Sequence, residues 1–430
     1  MPARHLSPAE AAAEIGATDV IGFPLGPGQP TGFLTALGER ESFENLTLHG
    51  AMLVDLYALI SKPGVHYRST FFGLAERFFR DTGADVQFVP ADFRRFAPIM
   101  EQARPRVMCT VAAPPDARGY MSLSLHAGAT VEELHRAGAH PERVLVVEIN
   151  PNFPRTFGLP PDHRHAIHID EADIIVSTER PVIELPDPPS NPVTDRIAEI
   201  ACSFIQPGCT LQTGFGDVPS AIVSALAASA GSGTYGVHSE MFTTGLMRLH
   251  QAGKVDNTHK GVFEDVSVCT FAAGINELYT WLDGNEAVRF LPVELINAPE
   301  IIARNERMVT INGAVAIDRF GQVTADTIDG NQYSGIGGHE DFIAMSGVDL
   351  EDRSLVCLPS TVTVDGVTRS RILAEMPAGA IVTTPRHQLD VVITEYGAAE
   401  LRGRTVGERA EALAAVAHPD FRAAILHPPG

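Results

Sequence analysis

The stretch Tyr235-Gly-Val-His-Ser-Glu-Met-Phe-Thr-Thr-Gly245 is the part of the chain around which the fold can be organised. A short apolar run leads to Glu240, and small and hydroxyl-bearing residues follow it. The pattern predicts a strand whose carboxyl end presents one carboxylate to a crevice, which is where open α/β sheets bind ligands. A lone glutamate at such a position is more often solvated or ion-paired, so this pattern alone does not establish a ligand site and further motifs are needed.

Strand and helix patterns alternate on both sides of this stretch. Asp19–Phe23 and Leu46–His49 are typical of strands, and Thr31–Leu37 between them is typical of a helix. An earlier helix is predicted to start with Ser7 as its N-cap and Pro8 as its first residue. Because β-branched runs are spaced by helical patterns, we expect a mostly parallel sheet with helices on both faces.

A proline-rich segment divides the chain. Glu184–Pro192 contains four prolines in nine residues, so it cannot hold a helix or a central strand. We interpret it as a linker between residues 1–185 and residues 193–430. The second part is predicted to begin with a helix capped by Thr194.

The second part repeats the first at an offset of 189 positions. The identical pairs without a gap are Pro30 and Pro219, Ala36 and Ala225, Leu37 and Leu226, His49 and His238, and Met52 and Met241. Asp116–Gly119 in the first part likewise resembles Asp318–Gly321 in the second part. At this offset Ala51 aligns with Glu240, so only the second copy has the carboxylate. The repeat predicts two similar α/β domains, one doing the chemistry and the other shaping a site in the cleft between them.

Composition limits the partners. The chain has 430 residues and a formal net charge of −21, which disfavours nucleic acid and anionic membranes because both require basic patches. It has five cysteines, an odd number, and none has C-x-x-C spacing, which indicates reduced thiols. The N-terminus lacks the pattern of a signal peptide, so we expect a cytoplasmic protein.

The histidines His163, His165 and His168 form a cluster in the sequence. A metal site is conceivable there, but the segment has no cysteine and no H-E-x-x-H pattern. We interpret the cluster as a solvated loop and predict no metal site.

Two glycine-rich loops are candidates for ligand binding. Gln212–Pro219 lies between a predicted strand and helix, where glycines and a helix start favour an anion, although a tight turn explains it equally well. Tyr333–Phe342 has three glycines whose N–H groups can hold an oxyanion. Its flanking aromatic residues favour a packed loop instead.

A third candidate combines Leu358-Pro-Ser-Thr361 with Arg371. The guanidinium group of Arg371 suits a carboxylate or a phosphate, and a structural ion pair is an equal alternative.

Taken together, the ordered motifs resemble the acetyl-CoA hydrolase/transferase family, class I CoA-transferases that include 4-hydroxybutyrate and acetate CoA-transferases. The resemblance covers essentially the whole chain. The motifs that carry it include Gly214-Phe-Gly-Asp-Val218, His238-Ser-Glu-Met241, Gln332–Phe342, Leu358-Pro-Ser-Thr361 and Thr394–Gly403.

The resemblance implies two tandem open α/β domains of the sugar-phosphate-isomerase-like type and a CoA-transferase activity. It implies that Glu240 is the nucleophile that becomes a glutamyl-CoA thioester. It implies CoA contacts from Gly214, Phe215, Gly216, Asp217, Val218, Ala314, Ser334, Gly335, Gly337 and Gly338. The partners would be acyl-CoA and short carboxylates, with CoA as substrate and no tightly bound cofactor. A homodimer or homotetramer is the expected assembly.

One departure and three alternatives stay open. Val362-Thr363-Val364 stands where many relatives carry a lysine soon after Pro-Ser-Thr. The alternatives are a thioester hydrolase with the same residues, a sugar-phosphate isomerase, and a non-catalytic acyl-CoA-binding protein, of which the intact Glu240 disfavours the last. The acid pocket is expected to include His49, Tyr67, Phe71 and Phe72.

Overall fold

The computed structural model describes residues 2–344 and 349–427. The chain forms two compact units: unit 1 comprises Met1–Leu185 and Val268–Ile296, and unit 2 comprises Pro186–Ser267 and Asn297–Gly430. Glu184–Pro192 has no helix or strand until Pro192, as predicted for a linker.

The division into residues 1–185 and 193–430 did not anticipate that Val268–Ile296 returns to unit 1. The reason is a set of backbone hydrogen bonds within unit 1. Ala127 N donates to Thr270 O at 2.8 Å, and Ala272 N donates to Leu125 O at 2.8 Å. The returning segment contains the strands Phe271–Ala272 and Val288–Phe290 and the helices Asn276–Leu282 and Val293–Ile296, and Ser267–Cys269 leads into it.

Unit 1 is built on a fully parallel sheet. Its strands are β1 (Arg4–Leu6), β2 (Val20–Gly22), β3 (Leu46–Gly50), β4 (Val65–Ser69), β5 (Val86–Phe88), β6 (Val107–Ala112), β7 (Val144–Ile149) and β8 (Ile174–Ser177). Their spatial order is β1-β8-β7-β6-β2-β3-β4-β5. Tyr120–Ser122 and Ala166–His168 form a separate antiparallel pair.

Helices cover both faces of this sheet. Apolar residues of Pro8–Ala13, Thr31–Gly38 and Leu74–Asp81 belong to one core cluster, whereas Phe96–Ala103 and Val131–Ala139 contribute to another. The predicted parallel sheet with helices on both faces is confirmed in this unit.

Unit 2 has a second, mostly parallel sheet. Over the described residues its strands are β9 (Thr210–Thr213), β10 (Gly236–Val237), β11 (Met308–Gly313), β12 (Arg353–Cys357), β13 (Val391–Thr394) and the antiparallel β14 (Gly397–Glu400). Their order is β10-β9-β11-β12-β13-β14. The remaining elements are the helices Pro192–Cys202, Asp217–Ala228, Thr244–Gln251, Pro299–Ile302, His339–Ile343, Val406–Val416 and Arg422–Leu426, and the short strands Met241–Phe242, Ala316–Asp318, Val323–Thr324, Thr327–Ile328, Asn331–Gln332, Thr361–Val364, Val367–Ser370 and Ile372–Leu373.

The two sheets share one topology. The order β3-β2-β6-β7-β8 in unit 1 corresponds to β10-β9-β11-β12-β13 in unit 2. A repeated turn supports the match: Asp116 accepts hydrogen bonds from the backbone N of Arg118 and Tyr120, and Asp318 accepts them from Phe320 and Gln322 in the same way. The repeat in the sequence therefore corresponds to a repeat in strand order.

Two helix starts test the capping predictions. Ser7 caps Pro8–Ala13 as predicted, with a reciprocal capping box. Pro192–Cys202 is capped by Asn191, so the prediction of Thr194 was wrong. The Asn191 carboxamide accepts from the first N–H groups of the helix, and Thr194 occupies the third helical position of the capping box.

The histidine cluster is not a wholly solvated loop. His165 is buried, stacks on Phe290 with ring centroids 5.1 Å apart, and has Nε2 at 2.9 Å from Ser124 O. Its neighbours therefore make it a core residue, which corrects that interpretation. Among the described residues, no group of three or more histidine, cysteine or acidic side chains is arranged to hold a metal ion. No helix in the same residues has the length and apolar character needed to span a membrane.

Candidate active site

The candidate site lies at the carboxyl edge of the unit 2 sheet. The parallel strands end next to the segments that the sequence had singled out: β9 before Gly214, β10 before Glu240, β11 before Ala314 and β12 before Ser360. Because parallel strands share one carboxyl edge, these loops emerge on the same side of the sheet.

Glu240 follows β10 and is partly buried. Its Oε2 atom accepts a hydrogen bond of 2.7 Å from Nδ2 of Asn297. Asn297 is the first residue after the chain returns from unit 1, and sequence reasoning missed it. The local sequence Asn297-Ala-Pro offers no signal, because the contact depends on the path of the intervening segment.

A second carboxylate fixes the asparagine. Nδ2 of Asn297 also donates to Oδ2 of Asp341 at 2.9 Å, and the two side chains are 0% and 1% exposed. An ionised carboxylate only accepts hydrogen bonds, so both contacts favour the orientation in which the NH₂ group faces Glu240 and Asp341. Asp341 was inside the quoted glycine-rich motif, but its role was not recognised.

The backbone of Gly338 lies directly against the carboxylate of Glu240. A Cβ atom at position 338 would lie 2.0 Å from Oε2 of Glu240 and 2.7 Å from Nδ2 of Asn297. No side chain fits there without displacing one of these groups. Gly338 was expected to contact CoA, and the structure also gives it the distinct task of making room for Glu240.

The surroundings of Glu240 make its side chain a weaker acid than an ordinary glutamate. Burial raises its pKa from 4.5 to about 8, the hydrogen bond from Asn297 opposes that shift, and the negative charge of Asp341 adds to it. A desolvated carboxylate is more basic and hence a better nucleophile once it is ionised.

The loop Gly214–Val218 continues from β9 beside the segment that holds Glu240. Thr213 N donates to Oγ of Ser239 at 3.3 Å, which joins the two strand ends. Gly216 has φ +136°, a conformation that favours glycine, and the helix Asp217–Ala228 follows. Phe215 is 46% exposed.

The segment before Gly335 is a hydrogen-bonded turn in which Tyr333 is 45% exposed, so the expectation that both aromatic flanks of the loop pack was wrong for Tyr333. The backbone N atoms of Tyr333 and Ser334 donate to Asp326 O at 2.9 and 3.0 Å, and Gln332 Nε2 donates to the Asp326 carboxylate at 2.9 Å. Gly337 takes a positive φ of 57° between this turn and Gly338. Ala314 is partly buried against the apolar core of the unit. Of the two aromatic flanks of the loop, only Phe342 is buried.

The third candidate from the sequence, Leu358-Pro-Ser-Thr361 with Arg371, lies at the same edge of the unit 2 sheet. Ser360 donates from its N and Oγ atoms to the carboxylate of Glu395 at 2.9 and 2.6 Å, and Arg371 N donates to Ser360 O at 2.8 Å. Burial lowers the pKa of Arg371, and the charges of Asp217 and Glu395 oppose this shift. The guanidinium group of Arg371 therefore interacts with the negative charge of Asp217 in the Gly214–Val218 loop.

Fold and site together define an α/β protein with a carboxylate of raised pKa at the edge of a parallel sheet. A family model described as the acetyl-CoA hydrolase/transferase C-terminal domain matches residues 274–428. The chain is 33% identical over 420 residues to the succinyl-CoA:cyclohexane-1-carboxylate CoA transferase of Geobacter metallireducens, covering 97% of this chain and 92% of that protein. It is 36% identical to the 4-hydroxybutyrate coenzyme A transferase of Clostridium kluyveri over 73% of this chain and 70% of that protein.

A solved structure has a similar fold over nearly the whole chain. RipA from Yersinia pestis superposes with a TM-score of 0.88 and 29% sequence identity, covering 98% of this chain and 96% of RipA. The chain belongs to the acetyl-CoA hydrolase/transferase family, and it is a CoA-transferase.

Proposed function

We propose that the protein moves CoA from an acyl-CoA to a short carboxylic acid through a thioester on Glu240. The observation that carries this proposal is the carboxylate of Glu240, held by Asn297 and approached by Gly338 so closely that a side chain at position 338 would displace it.

The reaction divides one transfer into covalent steps. Glu240 attacks the acyl-CoA carbonyl, the C–S bond breaks, and a mixed anhydride and the CoA thiolate result. The thiolate then attacks the glutamyl carbonyl, which forms the glutamyl-CoA thioester and releases the first acid as a carboxylate. An acceptor carboxylate reverses these steps and leaves as the new acyl-CoA. No redox change occurs in any step.

The raised pKa of Glu240 suits this chemistry in one protonation state only. The carboxylate is the nucleophile, so the reactive fraction of the resting enzyme increases as the pH rises towards about 8. Burial supplies the basicity, since it removes the water that would stabilise the charge.

Asn297 is placed to stabilise the oxyanions. When the CoA thiolate attacks the mixed anhydride at the glutamyl carbonyl, and when the acceptor carboxylate attacks the glutamyl thioester, negative charge develops on the carbonyl oxygen of Glu240. The N–H group that now contacts Oε2 remains beside that oxygen, and Asp341 keeps the amide in the required orientation. The glycine loop Gly335–Gly338 provides further backbone N–H groups near this point.

CoA is proposed to bind along the same edge. Gly214, Phe215, Gly216, Asp217 and Val218 form one side of its site, and Ala314, Ser334, Gly335, Gly337 and Gly338 form the other. Arg371 supplies a cation for a CoA phosphate, which the sequence Val362-Thr363 does not offer. The exposed aromatic ring of Phe215 is suited to stacking against the adenine.

A trapping experiment tests Glu240 directly. The enzyme is incubated with acetyl-CoA without an acceptor acid and treated with borohydride, which reduces a glutamyl thioester to an alcohol. Mass spectrometry should then show the modification on the peptide that carries Glu240, and Glu240→Gln should show none. A label on another carboxylate, or normal transfer by Glu240→Ala, would contradict the proposal.

A second experiment, an assay of the CoA products without borohydride, separates transferase from hydrolase. With an acceptor acid present, a transferase produces the new acyl-CoA, whereas a hydrolase releases free CoA at the same rate with or without the acid. The family description joins both activities, and both pass through the proposed intermediate.

The wider setting follows from the same proposal. Acyl-CoA and short carboxylates are the partners, CoA is a substrate and not a resident cofactor, and the enzyme works in the cytoplasm as a homodimer or homotetramer without nucleic acid. The net charge of −21 supports the last point. Light scattering coupled to gel filtration measures the assembly, and a monomer would contradict it.

A further inference from the structure

Two adjacent threonines of unit 2 contact both ends of the glycine loop Gly335–Gly338, which lies against Glu240. Thr383 contacts the turn before the loop, and Thr384 contacts the two residues after it. These contacts join residues that are 44 to 57 positions apart in the sequence. Sequence reasoning missed both threonines for that reason.

The backbone of the two threonines is fixed to a buried strand. The N atoms of Thr383 and Thr384 donate to Val323 O at 2.8 and 3.2 Å, and Thr384 forms an antiparallel bridge with Val323. Val323 is fully buried in the apolar core of the unit. Both hydroxyl groups therefore project from an anchored backbone, although the surrounding segment is irregular.

Thr383 holds the turn that leads into the glycine loop. Its Oγ1 atom donates to Oδ1 of Asp326 at 2.5 Å and accepts from the N atom of Ala325 at 2.8 Å. Asp326 is 4% exposed, and its backbone O atom accepts from the N atoms of Tyr333 and Ser334. One hydroxyl group thus connects the anchored segment to the turn before the loop.

Thr384 holds the residues that follow the loop. Its hydroxyl group is fully buried, lies 2.9 Å from Nε2 of His339 and contacts Oε1 of Glu340. A carboxylate only accepts, so the hydroxyl group donates to Glu340 and Nε2 of His339 donates to the hydroxyl oxygen. Burial lowers the pKa of His339 to about 4, against the opposing charge of Asp326, so a neutral imidazole fits this arrangement at pH 7.

The position of the loop matters because it has no spare room beside Glu240. A side chain at Gly338 would displace the carboxylate, so the backbone already lies as close as it can. A shift of about 1 Å at a reacting group can cost about a hundredfold in rate. Contacts that hold both ends of the loop therefore bear on the chemistry without reaching it.

We propose that Thr383 and Thr384 are positioning residues for CoA transfer. Together they fix the backbone of Gly335–Gly338 at its working distance from Glu240, one from each end of the loop. They act through the loop and make or break no bond of the substrate. The inference rests on the proposed function, since it takes Glu240 as the group that reacts.

Removing one hydroxyl group at a time tests the proposal. Thr383→Val and Thr384→Val keep the shape of the side chain, and each should lower the kcat of transfer by about tenfold or more, because the loop moves away from the reacting group. Thr383→Ser and Thr384→Ser keep the hydroxyl group and should retain most of the wild-type kcat. Each threonine holds a different end, so one valine variant that folds is enough.

Thr194→Val is the matched control. Thr194 is also fully buried in unit 2, and its hydroxyl group likewise donates to one backbone or side-chain oxygen and accepts from one backbone N atom, here O and N of Asn191. It lies in the first turn of the helix Pro192–Cys202. Its valine variant should lose stability, measured as melting temperature, and keep the wild-type kcat.

Hydrogen–deuterium exchange measures the loop independently of the chemistry. Peptides that cover residues 335–341 should exchange faster in Thr383→Val and Thr384→Val than in the wild type, and at the wild-type rate in Thr194→Val. If borohydride trapping leaves wild-type Glu240 unlabelled, the proposed function fails, whereas exchange still shows whether the threonines hold the loop.

Three outcomes would overturn the positioning role. They are wild-type kcat in the valine variants, equal losses of kcat in the serine and valine variants, and unchanged exchange of the loop in the valine variants. A fall in kcat that Thr194→Val shares would equally reduce the two threonines to structural residues.

Discussion

The side-chain nitrogen of Asn297 lies 2.7 Å from Oε2 of Glu240 and 2.9 Å from Oδ2 of Asp341. One amide group therefore bridges the partly buried carboxyl group of Glu240 and the buried carboxyl group of Asp341, which are far apart in the sequence. Its two N–H groups serve one carboxyl each, so removing either carboxylate or the amide should change the site in a different and measurable way.

Asp341→Asn should lower the pKa of Glu240. The negative charge of Asp341 raises that pKa, and asparagine has no charge. In the wild type kcat/KM should rise with pH towards an apparent pKa of about 8. In the variant this limb should move to lower pH, while kcat falls because Asn297 is no longer held in one orientation. An unchanged limb would remove Asp341 from the electrostatics of the site.

Asn297→Ala should shift the same limb to higher pH, because the hydrogen bond that stabilises the ionised form of Glu240 is lost. Loss of one donor to a developing oxyanion typically costs about 10²–10³-fold in kcat. Asn305→Ala is the matched control, as Asn305 is a buried amide beside His238 without a contact to Glu240. Equal losses of kcat in the two variants would indicate a general packing defect.

Gly338→Ala should displace the carboxylate of Glu240. The added Cβ would lie 2.0 Å from Oε2, and a shift of about 1 Å at a reacting group can cost about a hundredfold in rate. Gly407→Ala should leave activity and melting temperature unchanged or slightly improved, since Gly407 lies in the exposed first turn of the helix Val406–Val416 and no heavy atom lies within 4 Å of its Cβ position. Full activity of Gly338→Ala would mean that Glu240 is placed differently.

Arg371→Gln should raise KM for acyl-CoA by about tenfold with a small effect on kcat, since a charge-assisted contact to a phosphate is lost. Arg369→Gln, on the exposed strand Val367–Ser370, should leave both constants unchanged. Introducing Val362→Lys into Arg371→Gln should restore part of the affinity, because it supplies a cation in the adjacent strand Thr361–Val364. No change in KM in Arg371→Gln would leave this arginine a structural residue.

Glu240→Gln should be more stable than the wild type at high pH. The pKa of Glu240 is about 8 in the folded state and near 4.5 in the unfolded state, so between these values the folded protein binds the extra proton. The stability of the wild type therefore falls as the pH rises from about 4.5 to about 8, and the glutamine variant lacks this loss. Melting temperatures at pH 5 and pH 8.5 measure the difference, which should be larger at pH 8.5. A difference that does not depend on pH would contradict the raised pKa.

The amino-acid sequence by itself determined the features that depend on short windows and regular spacing. Alternating strand and helix patterns predicted the parallel sheets, and the 189-residue offset predicted two similar α/β domains, whose common strand order the structure then showed. Glu240 was recognisable because it follows an apolar run, and the glycine loops because their composition is unusual. These signals are local, so they survive without knowledge of the fold.

Only the tertiary structure decided what surrounds Glu240. Asn297 is 57 residues away from Glu240 in the sequence, and it reaches the carboxylate because the chain leaves unit 2 at Val268 and returns at Asn297. Gly338 resembled a ligand loop in the sequence, yet its lack of a side chain is required by a contact with Glu240. Tyr67 and Arg68 are adjacent in the sequence but face opposite sides of β4, so Tyr67 is a core residue and Arg68 is partly exposed. Such contacts depend on which distant segments pack together, and no local pattern encodes that choice.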